Sequence, residues 1–446
     1  PSFSAAYRIS EEAFFEPLRK TVDNLKIRLS YGSLGNQQIG YYDFIQTITT
    51  KGSMGDYSFD GTILGQHATV SDPVSGNQTW EKVISKNLGA DLNMFSNRLS
   101  LTADFYIRDT KGILGKGKSL PSIYGANEPQ VNSNNLRTKG YELVLGWRDS
   151  FKLAGSTFSY GITGTFSDYT AEYTKCDNPS GLIGGPYVGK KYGEIWGYKV
   201  DGLFRNDEEA AEYASRVDLS KVAAGYYSAT GAYGKGVRGG DIKYLDLDGS
   251  GIVDGGKGTL EDPGDRRVIG NSSPRYQYGL TLNLSWYGFD LSVFMQGIGR
   301  LDWYPGADNL RFWGPYSRPY ATFIPKNFMS QVWSESNPDA YLPRARAYTS
   351  LNSTQGTAYY TNDRYLQNLA YCRLKNLTLG YTIPKRLTSK VGIKECRVYF
   401  SGENLATWSA LKNDFLDPEQ AAADSDKKSN VYPWCRTYSV GLNLTF

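Results

Sequence analysis

The sequence predicts an all-β chain that forms part of a transmembrane antiparallel β-barrel wall, with long external loops and short inner turns. Three observations carry this. Apolar and polar residues alternate with period two in stretch after stretch. The stretches run about 8–12 residues, enough for a tilted strand to cross a bilayer. The links between them are alternately short and long. Composition agrees: of 446 residues 14% are aromatic, with 35 Tyr and 49 Gly but a single His.

The strands are placed in order near residues 2–9, 25–34, 88–94, 98–108, 137–148, 157–168, 275–286, 288–297, 366–383, 396–403 and 435–446. In "RLSLTADFYIR", Leu99, Leu101, Ala103, Phe105 and Ile107 share one face and Arg98, Asp104 and Arg108 the other. In "YQYGLTLNLSW", Leu280, Leu282 and Leu284 oppose Thr281, Asn283 and Ser285. The final "TYSVGLNLTF" repeats the pattern through Val440, Leu442 and Leu444. The run 371–383 changes phase between Leu374 and Leu377, which one bulged residue would restore. Tyr31, Trp147, Tyr276, Trp286 and Tyr381 stand at strand ends, where amphipathic rings prefer the headgroup level.

Phe95-Ser96-Asn97 and Tyr287-Gly288 read as tight turns, and 10–24, 149–156 and 384–395 as modest links. The links near 35–87, 109–136, 169–274, 298–365 and 404–434 are long. A soluble sandwich also alternates, but has no reason to put every long loop at one end; a membrane barrel has short inner turns and long external loops. Single-chain bacterial barrels have even strand numbers and must close, so about eleven strands are expected to be joined by further wall outside this chain.

Other classes are excluded. The net charge of +4 comes from 49 basic and 45 acidic residues, with no basic stripe of the kind that nucleic acid binding needs. No apolar run is long enough for a transmembrane helix. His67 is the only His and no GxSxG surrounds a serine, so no enzyme is expected. The opening "PSFSAAYRIS" carries neither Met nor an apolar signal segment and reads as the middle of something longer or a processed product.

An ordered series of segments resembles a known family: "PSFSAAYRISEE" (1–12), "LKIRLSYGSLGNQQIG" (25–40), "TWEKVISKNLGADLNMFSNRLSLTADFYIRDTKGIL" (79–114), "NNLRTKGYELVLGW" (134–147), "GDIKYLDLDGSGIVD" (240–254), "DRRVIGNSSPRYQYGLTLNLSWYGFDLSVFMQG" (265–297), "YLQNLAYCRLKNLTLGYTIP" (365–384), "RVYFSGENLATWS" (397–409) and the terminal Phe446. Together they resemble the C-terminal half of a SusC/RagA-type TonB-linked outer-membrane transporter of the Bacteroidota. The resemblance implies a barrel of about 22 strands, its plug carried by an N-terminal half absent from this chain. It implies a SusD-like surface lipoprotein as lid, energy from TonB-ExbB-ExbD, and contact with outer-membrane lipid. It also implies nutrient import, of oligosaccharides or alternatively oligopeptides; a passive porin or adhesin barrel would share the strands, and a secreted glycan-binding sandwich the aromatic loops.

Two groups are candidate sites. "DLDGSGIVD" places Asp246, Asp248, Ser250 and Asp254 as alternating oxygens around Gly251, as loops that wrap Ca²⁺ do, with Asp265 (or Glu261 or Asp262) supplying the last ligand after an insert. The competing reading is an Asx/Gly turn. Trp303, Tyr304, Trp313 and Tyr316, with Phe312 and Tyr320, could stack on substrate or pack between loops. The acidic segment 415–426 reads as a solvated loop, and Arg98, Asp104, Arg108, Glu142 and Asn283 as lumen lining. Among the cysteines at 176, 372, 396 and 435, a strand is expected between those bearing Cys372 and Cys435, too far for a disulfide.

Overall fold

A computed structural model of the protein describes residues 1–36, 45–51, 58–59, 62–63, 67–76, 78–118, 120–227, 236–318, 320, 322, 324–346, 351, 356–413, 415–423, 432 and 434–446. Parts of the expected loops, including residues 37–44, 228–235, 347–350 and 424–431, lie outside them.

Eleven strands pair antiparallel, in chain order, into one sheet. They are β1 (Ser2–Arg8), β2 (Val22–Asn36), β3 (Glu81–Met94), β4 (Leu99–Lys116), β5 (Gln130–Leu153), β6 (Ser156–Lys175), β7 (Arg275–Trp286), β8 (Phe289–Arg300), β9 (Tyr371–Thr382), β10 (Glu395–Ser409) and β11 (Thr437–Thr445). Every strand expected from alternation is present, and β1 and β11 form the sheet's two edges. Several strands outrun the expectation: β4 has 18 residues, β5 24 and β6 20. Alternation is imposed only where one face meets lipid; beyond it "NSNN" (132–135) is polar on both faces and gives no period to read.

The two faces differ as the alternation requires. Leu145, Leu379 and Leu442 stand exposed on one face, and no core covers them. Two bands of rings bound this apolar belt. At the short-turn end lie Phe151–Phe158 (centroids 5.3 Å apart), Trp286–Tyr287 (5.1 Å) and Phe289–Tyr381 (4.5 Å). At the other end Phe105, Tyr141, Phe166 and Tyr276 follow one another at 6.4, 6.0 and 6.5 Å. From Tyr141 to Phe151 is about 33 Å of strand. At a tilt of about 40° that is ~25 Å of height, the thickness of the apolar band of an outer-membrane barrel. The short turns bring Phe95, Ser96, Asn97, Ala154 and Tyr287 to positive φ, a left-handed backbone that tight hairpins need.

The expected bulge is at Lys375: pairing with both β8 and β10 shifts between Leu374 and Asn376. Cys372 is a free thiol on β9, and β10 separates β9 from β11 as expected.

The hydrophobic core lies outside the wall. It gathers residues from three connections: Tyr198, Phe204 and Tyr244 between β6 and β7; Trp303, Trp313 and Tyr365 between β8 and β9; Leu416 and Ala421 between β10 and β11. These form one cap at the long-loop end. Arg346 clamps Asp241 within it at 2.9 and 2.5 Å and lies over the Tyr226 ring. The helix Asp207–Ala214 on its surface is started by Asn206, which accepts the Glu209 N–H at 2.8 Å. No helix among the described residues is long and apolar enough to cross a membrane.

Candidate functional site

The inward face of the wall is built from cross-strand ion pairs that register alone creates. Arg28 on β2 forks to Asp91 on β3 (2.9 and 3.1 Å) and to Asp104 on β4 (3.1 and 2.9 Å). Gly89 sits between Arg28 and Asp104 in the ladder. A Cβ there would stand 2.6 Å from both Arg28 Cζ and Asp104 Oδ1, so only glycine lets the guanidinium cross the strand. The same device recurs at Gly380, where Arg397 passes to Asp290. Tyr106 lies across Gly140 and Tyr399 across Gly441. Gly89→Ala is expected to open the Arg28–Asp104 pair and cost about 1–3 kcal/mol by overpacking, read as a lower urea midpoint of the reconstituted barrel; an unchanged midpoint would contradict this packing.

Arg137 pairs with Asp109 at 2.6 Å, and Arg275 grips Asp168 with two bonds of 2.6 Å, but Asp109 and Asp168 stand on the outward row, at or beyond the Phe105–Tyr141–Phe166 ring band, since Asp109 follows Phe105 and Ile107 and Asp168 pairs with Tyr141. Of the residues expected to line the lumen, Asp104 and Glu142 share one ladder rung and face it together. Arg98, at the turn end, pairs with Asp149 at 3.3 Å. Sequence reading could not find Arg28, Asp91, Asp168, Arg275, Asp290 and Arg397 as partners, because each pair joins strands far apart in the chain.

The third connection folds back onto this face. Arg373, only 2% exposed in its side chain, donates to Asp417 at 2.6 Å, to Glu419 at 2.7 Å and to Thr407 at 2.9 Å. The bulged Lys375 holds Glu419 at 2.7 Å. The segment around 415–419 is therefore strapped to the wall and is not a solvated loop; residues 424–426 of the expected acidic stretch lie outside the described residues.

The aromatic candidates are corrected by their burial. Trp303, Tyr304, Trp313 and Tyr316 all belong to the cap core. Trp313 Nε1 donates to Gly306 O at 3.1 Å, Tyr304 Oη to Tyr360 O at 3.1 Å, and Tyr316 Oη to Pro343 O at 2.6 Å. Phe312 stands edge-on to Trp313 at 4.7 Å. Phe312 and Trp313 stand edge-on to Tyr365 and Tyr316 lies tilted on Phe328, so all four candidates pack within the cap core between loops. Burial also pushes the Tyr316 hydroxyl's pKa well up. Tyr320 is exposed.

The cation candidates converge in part. Asp246, Asp248 and Asp265 each bring a carboxylate oxygen within 4.8 Å of the others. Asp265 is fully buried and accepts the N–H groups of Leu247 at 2.6 Å and Asp254 at 2.9 Å. Burial raises its pKa above the ordinary carboxylate value, against the pull of these bonds. The insert 255–264 is pinched off at Gly256 and Gly264, both at positive φ, where a Cβ on either would meet the other's backbone; Asp265 thereby returns to Asp254. Glu261 and Asp262 stay outside the cluster. Ser250 Oγ is turned away, donating to Ile252 O at 3.0 Å, and Asp254 accepts Gly256 N–H at 2.7 Å. Asp246 also accepts Gly249 and Gly251 N–H at 2.8 and 2.9 Å, as an Asx turn does. The three carboxylates fit a hard divalent cation, and Ser250 and Asp254 as placed do not join them.

No protein-family profile matches the chain. Over its whole length it is 26% identical to TonB-dependent receptor P3 of Formosa agariphila, across 42% of that protein. It is 22% identical to TonB-dependent receptor SusC of Bacteroides thetaiotaomicron, across 40% of it. The RagAB peptide transporter superimposes on the whole chain with a TM-score of 0.70 at 20% identity, across 43% of its own chain. The chain thus spans less than half the length of the relatives it matches. With its open eleven-stranded wall and chain-long similarity, it is a relative of the TonB-dependent receptors of the SusC/RagA type, matching the C-terminal half of their barrel.

Proposed function

We propose that this chain is the barrel wall of a TonB-dependent nutrient importer of SusC type in the bacterial outer membrane, taking up oligosaccharides beneath a SusD-like lipoprotein lid. The observation that carries it is the division of labour between the faces: an uncovered apolar belt between two aromatic bands outside, paired charges inside, and a folded cap at the long-loop end. The wall supplies a rigid polar conduit, with its charges neutralised in pairs. Plug and TonB contact belong to the rest of the transporter. Oligopeptide import is the second reading, because the structurally similar RagAB is a peptide transporter.

The test is uptake of labelled oligosaccharides and oligopeptides by cells whose only such importer carries this wall, with and without TonB. TonB-dependent glycan uptake is expected. Peptide uptake alone would assign the second reading, and uptake that persists without TonB would make the barrel a passive pore.

The cap loop of Asp246, Asp248 and Asp265 is proposed to hold Ca²⁺. Calorimetric titration should show Ca²⁺ binding that weakens about tenfold or more in the Asp246→Asn/Asp248→Asn double variant, since affinity follows ligand charge. Equal heats from both proteins would leave only the turn-forming role.

A further inference from the structure

The link between β9 and β10 carries chemistry that the wall does not use. From Pro384 to Lys394 it reads "PKRLTSKVGIK", with Lys385, Arg386, Lys390 and Lys394 and no acid. Among the described residues none of the four forms an ion pair. The link turns helically over Lys385–Thr388 and Ser389–Val391 and stops at Gly392, whose φ is 75°.

Its position follows from Cys396. That residue lies on the outward row of β10 with Val398 and Phe400, both exposed, yet it is only 8% exposed itself. The turn Lys385–Thr388 contacts β10, and Thr388 is buried. The burial of Cys396 in an otherwise exposed row and of Thr388 in the turn is met at once when the turn covers that row, on the lipid side of the rim, a few residues past the Phe289–Tyr381 ring pair. Leu387 and Val391, four apart, stand 54% and 71% exposed there.

We infer that this link is an interfacial anchor: Leu387 and Val391 enter the acyl boundary while the four cations bind anionic phospholipid headgroups of the periplasmic leaflet. The occupant is lipid because the surface continues the apolar belt, and its charge complements phosphate. Apolar insertion plus basic residues is the pairing that holds amphipathic segments at a membrane surface. The inference rests on the orientation in the proposed function, which puts short links on the periplasmic side.

The test is native mass spectrometry of the complete transporter released from nanodiscs holding phosphatidylglycerol and phosphatidylcholine. Replacing Lys385, Arg386, Lys390 and Lys394 with Gln should lower phosphatidylglycerol retention about tenfold or more, leaving phosphatidylcholine unchanged. A Leu387→Ser/Val391→Ser variant, with charges intact, should lower both. Heat-dependent gel mobility confirms a folded barrel in each variant. Unchanged phosphatidylglycerol retention in the Gln variant, or loss of a co-purifying acidic protein in place of lipid, would overturn the anchor. Failure of the chain to enter nanodiscs at all would instead overturn the membrane reading, so the two failures are distinguishable.

Discussion

Replacing Arg373 with Ala is expected to destabilise the protein by about 2–3 kcal/mol, toward the lower side of what breaking a buried pair costs, because it leaves half-buried carboxylates without their main counter-charge. Arg373 is the point where Asp417, Glu419 and Thr407 meet. Lys375 stays on Glu419, so Asp417 loses most. The strap should detach before the wall fails: protease cleavage within 411–423 should quicken, and the urea midpoint should fall. Arg373→Lys should sit between, since an ammonium cannot fork to two carboxylates. Wild-type cleavage rates in Arg373→Ala would show that the strap is held from elsewhere.

The second large effect separates the two faces on one strand. Leu442→Arg puts a charge on the outward row beside Val440 and Leu444, level with Val398 and Tyr381, and should cost about 1–2 kcal/mol, between the midplane and interface values. Ser439→Arg, three residues away on the inward row opposite Ser401, should cost little. Refolding into vesicles from urea reads both. Equal costs would mean that the two faces meet the same solvent, and the barrel reading would fail with them.

Much of the wall was legible because lipid writes on it with period two. The bulge at Lys375 was legible for the same reason, as a broken phase between Leu374 and Leu377. What could not be read depends on residues distant in the chain. Arg28 meets Asp104 only because the strands come into register and Gly89 leaves room. Asp417 and Glu419 read as solvated because their partners Arg373 and Lys375 lie 44–46 residues earlier. Trp303, Tyr304, Trp313 and Tyr316 read as exposed binders because nothing local shows that two other connections cover them. The carboxylate cluster was half legible: the "DLDGSG" spacing gave Asp246 and Asp248, and only the pinch at Gly256 and Gly264 singles out Asp265.

The cap draws its interior from the connections after β6, β8 and β10, so it is complete only when the last of them is in place. Each contribution emerges on the far side of the membrane only after its own hairpin has crossed, and Leu416 and Ala421 belong to the last one. Long-separated contacts are slow to close. On the proposed orientation the water-facing dome is then the last part to be completed, and its closure reports that the hairpins beneath it are in place.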